Sequence, residues 1–131
     1  MSEQVVQRFI EGLARLEESR DSDTLVSVFA EHCGLSNVVT SKEFEGREGA
    51  REFWSQYRDT FGDMKSTFRN VIISGSRAAL EWHTEGTTAV GASVSYNGVS
   101  ILEIEGDQVT RFRAYFDDKA LSGQIVKEAR A

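Results

Sequence analysis

The sequence predicts an α+β domain in which three N-terminal helices pack on one face of a curved, mostly antiparallel sheet, together forming a cone. Two periodicities and one absence carry that reading. Apolar residues in the first half of the 131-residue chain recur at spacings of three and four, and after Gly62-Asp63 the period changes to two. Proline, internal repeats, low-complexity tracts and linker-like stretches are all missing, so residues 1–131 read as one domain, long enough to bury its own core.

From Glu3 to Glu18, the residues Val5, Val6, Phe9, Ile10, Leu13 and Leu16 form the stripe of an amphipathic helix. Asp21-Ser22-Asp23 offers caps for a second, shorter helix with Leu25, Val28 and Phe29 on its buried side. A short strand follows, because Leu35, Asn37 and Val39 alternate with Ser36 and Val38 and so share one face; Thr40 to Gly46 reads as a loop. Between Arg47 and Phe61, Ala50, Phe53, Trp54, Tyr57 and Phe61 line one side of a third helix, unusually rich in aromatic rings.

Phe68, Val71, Ile72 and Ile73 lead into the turn signal Ser74-Gly75-Ser76 and out again through Ala78 to Glu85, the pattern of a β-hairpin. A glycine-rich connection, Gly86 to Ser93, precedes a strand from Val94 to Glu105, and Gly106-Asp107 turns into a last strand from Gln108 to Phe116. These four strands make an antiparallel meander. Asp117 to Val126 reads as a short terminal helix or coil whose Leu121 and Ile125 close the apolar end of the cone.

Composition narrows the class of function. A formal charge of −6, with acidic and basic residues interspersed and no basic cluster beyond Arg111 and Arg113, argues against nucleic acid or an anionic membrane as partner. The single cysteine, Cys33, rules out an internal disulfide, and the absence of a basic leader or an apolar span makes a cytoplasmic location the expectation. Two histidines and one cysteine lack the spacing of a zinc site, and Gly86 to Gly91 is not a phosphate loop, so neither metal nor cofactor is expected. Cys33 beside His32 suggests a nucleophile and base, but neighbours along a strand point to opposite faces.

A resemblance enters with Gly46-Arg47-Glu48-Gly49-Ala50-Arg51-Glu52-Phe53-Trp54, then Leu80-Glu81-Trp82, then the ending Tyr115-Phe116-Asp117. In these residues and in element order over nearly the whole chain, the sequence resembles the SnoaL-like group of the NTF2-like (cystatin-like) superfamily. That group includes polyketide cyclases, a ketosteroid isomerase, a limonene epoxide hydrolase and non-catalytic binding domains, all using the mouth of the cone. For epoxide-hydrolase-like members the resemblance implies an aspartate three residues ahead of Asp117, where this chain has Ala114, which disfavours epoxide hydrolysis. It also implies a polar group on the first strand; here that is Asn37, an amide that can hydrogen-bond but not act as a base.

Alternation sets the candidate pocket. Phe53, Trp54 and Tyr57 come from the third helix, Trp82 from the hairpin, and Tyr96, Ser100 and Leu102 from one face of the next strand. Phe112, Ala114 and Phe116 share one face of the last strand. An apolar pocket with a few placed hydrogen-bonding groups suits a hydrophobic cyclic small molecule. Asn37, Tyr57 and Tyr96 are the candidates for hydrogen bonding, and His83, flanked by Glu81 and Glu85, or else His32, is the candidate proton carrier. The face opposite His83 (Ala78, Leu80, Trp82, Thr84) is the more apolar and competes for the interior. The expected function is therefore binding, with cyclisation or isomerisation of the ligand; the competing one is a non-catalytic, dimer-forming domain. A homodimer would use the outer sheet face near Val99, Ile101, Arg111 and Arg113.

Overall fold

Helix α1 (Ser2–Ser19) buries Val5, Val6, Phe9, Leu13 and Leu16, the stripe seen in its sequence. The structure, a computed structural model, describes residues 2–39 and 42–117. Helix α2 (Asp23–Val26) is a single turn, and Phe29, expected on a helix, instead opens strand β1 (Phe29–Asn37). The three helices are thus two long ones and one turn. The turn touches α1 at Gly12, where a Cβ would lie 2.8 Å from the Leu25 Cα.

The stretch read as a loop contains a two-residue strand, β2 (Phe44–Glu45), paired antiparallel to β1. Helix α3 (Gly46–Asp59) follows, and the meander is β3 (Phe61–Ser74), β4 (Arg77–Thr88), β5 (Ser93–Glu105) and β6 (Gln108–Phe116). Strands β3 and β4 are longer than the sequence reading because the ladder continues through Gly86, whose missing Cβ lets the Asp63 carbonyl approach. The predicted terminal segment lies outside the described residues, apart from Asp117.

One six-stranded sheet results, in the order β2-β1-β6-β5-β4-β3. All pairings are antiparallel except β1 with β6, which run parallel, with Leu35 opposite Phe112 and Asn37 opposite Ala114. A parallel pair needs a long crossover, and here β2, α3, β3, β4 and β5 all lie between the two strands. The core sits between the inner face of the sheet and helices α1 and α3. There Phe9, Trp54 and Phe112 pack with ring centroids 5.0 to 5.9 Å apart.

On the outer face, Arg113 donates to Glu103 at 2.8 Å across the β5–β6 ladder, while Arg111 pairs with Glu43 at 3.1 Å. Among the described residues no helix is long and apolar enough to cross a membrane, and no group of three or more metal-binding side chains gathers.

Candidate functional site

Register arranges the inner face of the sheet in rows. Ser66, Thr84 and Tyr96 stand side by side on β3, β4 and β5. The next row is Phe68, Trp82, Gly98 and Phe116, and the next Leu80, Ser100, Ala114 and Asn37. The last, Ala78, Leu102, Phe112 and Leu35, is buried beneath them. Between the upper rows and α3 lies a cavity of about 340 Å³. Phe53, Trp54 and Tyr57 roof it, and Phe9 and Leu13 reach it from α1.

Asn37, Tyr57, Phe53, Trp54, Trp82, Tyr96, Ser100, Phe112, Ala114 and Phe116 were all singled out from sequence, and all line this cavity. Two others do not. His83 sits on the outer face, where its Nδ1 lies 2.7 Å from Asn97 Oδ1 and its Nε2 3.7 Å from Glu85, so it is not brought to the cavity. Strand parity decides this: Trp82 and Thr84 point inward and the residue between them must point out. Leu102 is fully buried in the row below and is not a wall of the cavity. His32 is exposed while its neighbour Cys33 is buried, and burial pushes the Cys33 thiol up, away from a reactive thiolate.

The large indole of Trp82 lies in place because Gly98 faces it. A Cβ on Gly98 would come within 2.5 Å of the Trp82 ring and of the Tyr115 carbonyl. The ring is then fixed by a hydrogen bond from Trp82 Nε1 to Ser100 Oγ at 2.9 Å and by edge contact with Tyr96 at 5.3 Å. Trp54 Nε1, by contrast, is buried among aromatic rings and has no acceptor among the described residues.

Asn37 and Ala114 are direct partners on β1 and β6, so the two positions that the family resemblance makes chemical stand together on one wall. The Asn37 Oδ1 accepts the Val39 backbone N–H at 2.8 Å, which turns the chain out of the strand. Neither side chain can take up a proton.

The carboxylate of the region comes from a residue the sequence reading passed over. Glu17 is 6% exposed. Its Oε1 accepts the Ser66 backbone N–H at 2.8 Å, and its Oε2 accepts the Ser66 hydroxyl at 2.6 Å and the Tyr57 hydroxyl at 3.0 Å. Ser66 Oγ is also 2.7 Å from Thr84 Oγ1. Burying a carboxylate costs several kcal/mol, and hydrogen bonds to a charged group return roughly 1.5–3 kcal/mol each, so three of them are what make this burial tolerable. Burial and the Glu17 charge together push the Tyr57 hydroxyl well above its ordinary value, and the same two causes raise Tyr96. Arg58 is buried nearby; burial, then repulsion from Arg20, lowers it, and its guanidinium donates to the backbone carbonyls of Leu16, Phe61 and Gly62. The sequence holds only a partial signal for Glu17: Phe9, Leu13 and Glu17 are four apart, so a charge continues the apolar row of α1, but its partners are not visible there.

Residues 6–112 match the family described as SnoaL-like domain. By sequence, no curated protein matches the chain. Among solved structures, an NTF2-like protein from Anabaena variabilis is similar at a TM-score of 0.82 and 15% identity, covering 92% of each chain. A protein with a ketosteroid isomerase-like fold from Catenulispora acidiphila, crystallised with trimethylamine, superposes at 0.78 with 14% identity, covering 88% of this chain and 90% of that one. An LEH-like epoxide hydrolase from M. tuberculosis superposes at 0.74 with 13% identity, over 95% of this chain and 91% of that one. At such identities the likeness shows the NTF2-like fold.

Proposed function

Because the chain belongs to the SnoaL-like domain family, we propose that it binds a hydrophobic, cyclic small molecule inside the cone. The observation that carries this is the cavity of about 340 Å³ walled by aromatic rings and interrupted by a few placed polar groups, the anatomy of a small-molecule site. Asn37, Tyr57 and Tyr96 supply hydrogen bonds to the ligand. Any cyclisation or isomerisation then runs on shape and hydrogen bonding at that wall, since Ala114 offers no acid or base there; epoxide hydrolysis by a carboxylate at that position is disfavoured for the same reason.

A thermal-shift screen against cyclic enones, terpene epoxides and polycyclic aromatics tests the reading. A ligand present at 100 times its dissociation constant adds about 2.7 kcal/mol of stability. Stabilisation by one class is expected; no shift with any class would sink the proposal.

The second reading, a binding domain without turnover that forms a homodimer, is favoured by the outer face. Ile72, Ala79 and Ile101 are consecutive partners across β3, β4 and β5, and Val99 pairs with the half-exposed Tyr115 on the next row. An apolar row on a solvent-facing sheet suits a second copy of the chain. A cytoplasmic location completes the proposal, and the lone buried thiol suits it.

A further inference from the structure

Every hydroxyl proton at the Glu17 end of the cavity has a direction. Glu17 Oε2 takes one from Ser66 and one from Tyr57, and a carboxylate has none to give back. With its own proton directed to Glu17, Ser66 Oγ can meet Thr84 Oγ1 at 2.7 Å only as acceptor, so Thr84 donates to Ser66. The chain Thr84 to Ser66 to Glu17 and the bond from Tyr57 all run away from the cavity. Tyr57, Ser66 and Thr84 line that cavity, and with their protons committed to these bonds their oxygens are left to accept there.

We propose that this end of the cavity is a hydrogen-bond-acceptor site, selecting ring compounds that carry a hydroxyl or amine N–H over those whose only polar group is a carbonyl or ether. The inference deepens the binding reading above and rests on it. Its polarity is the reverse of a site built to hold a ketone oxygen, which needs donors aimed at the ligand. Burial reinforces it: the Glu17 side chain is closed off from water, and its negative charge favours a partially positive hydrogen of the ligand. A carbonyl placed here would face lone pairs, leaving both sides without a partner, the situation that rejects near-isosteres most strongly. Elsewhere on the wall, the Ser100 and Tyr96 hydroxyls can turn either way and set no such preference.

Isothermal titration calorimetry with 2-naphthol, 2-methoxynaphthalene and 2-acetylnaphthalene tests this directly. 2-Naphthol is expected to bind about tenfold or more tighter than either of the others, the effect of one hydrogen bond to a charge-backed acceptor. In Glu17→Gln, whose amide can donate, the order is expected to collapse or invert; in Thr84→Val, a milder change that leaves the Glu17 bonds in place, the advantage of 2-naphthol is expected to fall. Equal affinities in the wild-type protein, or a tighter ketone, would overturn the acceptor site while leaving the binding reading intact. Binding of no probe would overturn both.

Discussion

Gly98 shows how one missing methyl group shapes the cavity. It stands opposite Trp82 in the β4–β5 ladder, and the indole occupies the space where a Cβ would be. Gly98→Ala is therefore expected to displace Trp82, break its bond to Ser100 and cost about 1–3 kcal/mol, the range for forcing extra carbon into packed space. A lowered melting temperature together with a shift in tryptophan emission would check it. An unchanged spectrum would mean that Trp82 does not depend on that space. Residues of this kind divide in legibility. Phe53, Trp54, Tyr57, Trp82 and Tyr96 could be assigned to the cavity because aromatic side chains on a helical stripe or an alternating strand announce their face. Glu17 could not, since a carboxylate in an apolar register becomes meaningful only when Ser66 and Tyr57, some 40 to 49 residues away, are seen to donate to it.

Between elements, the close contact of α1 with α2 constrains where the helices lie. Replacing a glycine inside a helix by alanine ordinarily stabilises by about 1 kcal/mol. Gly12→Ala is expected to do the opposite and lower stability by about 1–3 kcal/mol, because its Cβ would meet the Leu25 backbone at 2.8 Å and backbone cannot rotate away. Chemical denaturation of the variant measures the sign. The long elements were legible: α1, α3 and the four strands of the meander follow from period alone. The short ones were not. Strand β2 has two residues, fewer than any period can show, and Phe29 satisfies a helical stripe and a strand equally until β6 pairs with it. The outward placement of His83 depended on parity, which Trp82 and Thr84 pointed to and the attraction of a histidine between two carboxylates obscured.

For the molecule as a whole, the proposed homodimer turns on the outer face of the sheet. Ile72 is 64% exposed there and pairs through Ala79 with Ile101. A charge at the centre of that row, between the two isoleucines, would be buried unpaired in a dimer, so Ala79→Glu is expected to convert a dimer into a folded monomer. Sedimentation velocity on both proteins reads the outcome; a wild-type chain that sediments as a monomer would dispose of the dimer. The cone itself was legible from the order of its elements. Its closure was not, because nothing in the local pattern of β1 or β6 declares that they pair side by side and parallel.

That closure sets a timetable for synthesis. As the chain emerges from a ribosome, α1, β1 and α3 are made early, but the strand that zips against β1 is β6, the last to appear among the described elements. Asn37 acquires Ala114 as its neighbour only once nearly the whole domain has been translated. Until then Phe53 and Trp54 lack the Phe112 ring and one edge of β1 lacks its partner strand, and a nascent chain in that state is exposed to self-association. Loop closure over so long a stretch also favours slow, all-or-none folding. The site and the finished fold therefore arrive together: the strand that completes the sheet is the one that completes the wall of the cavity.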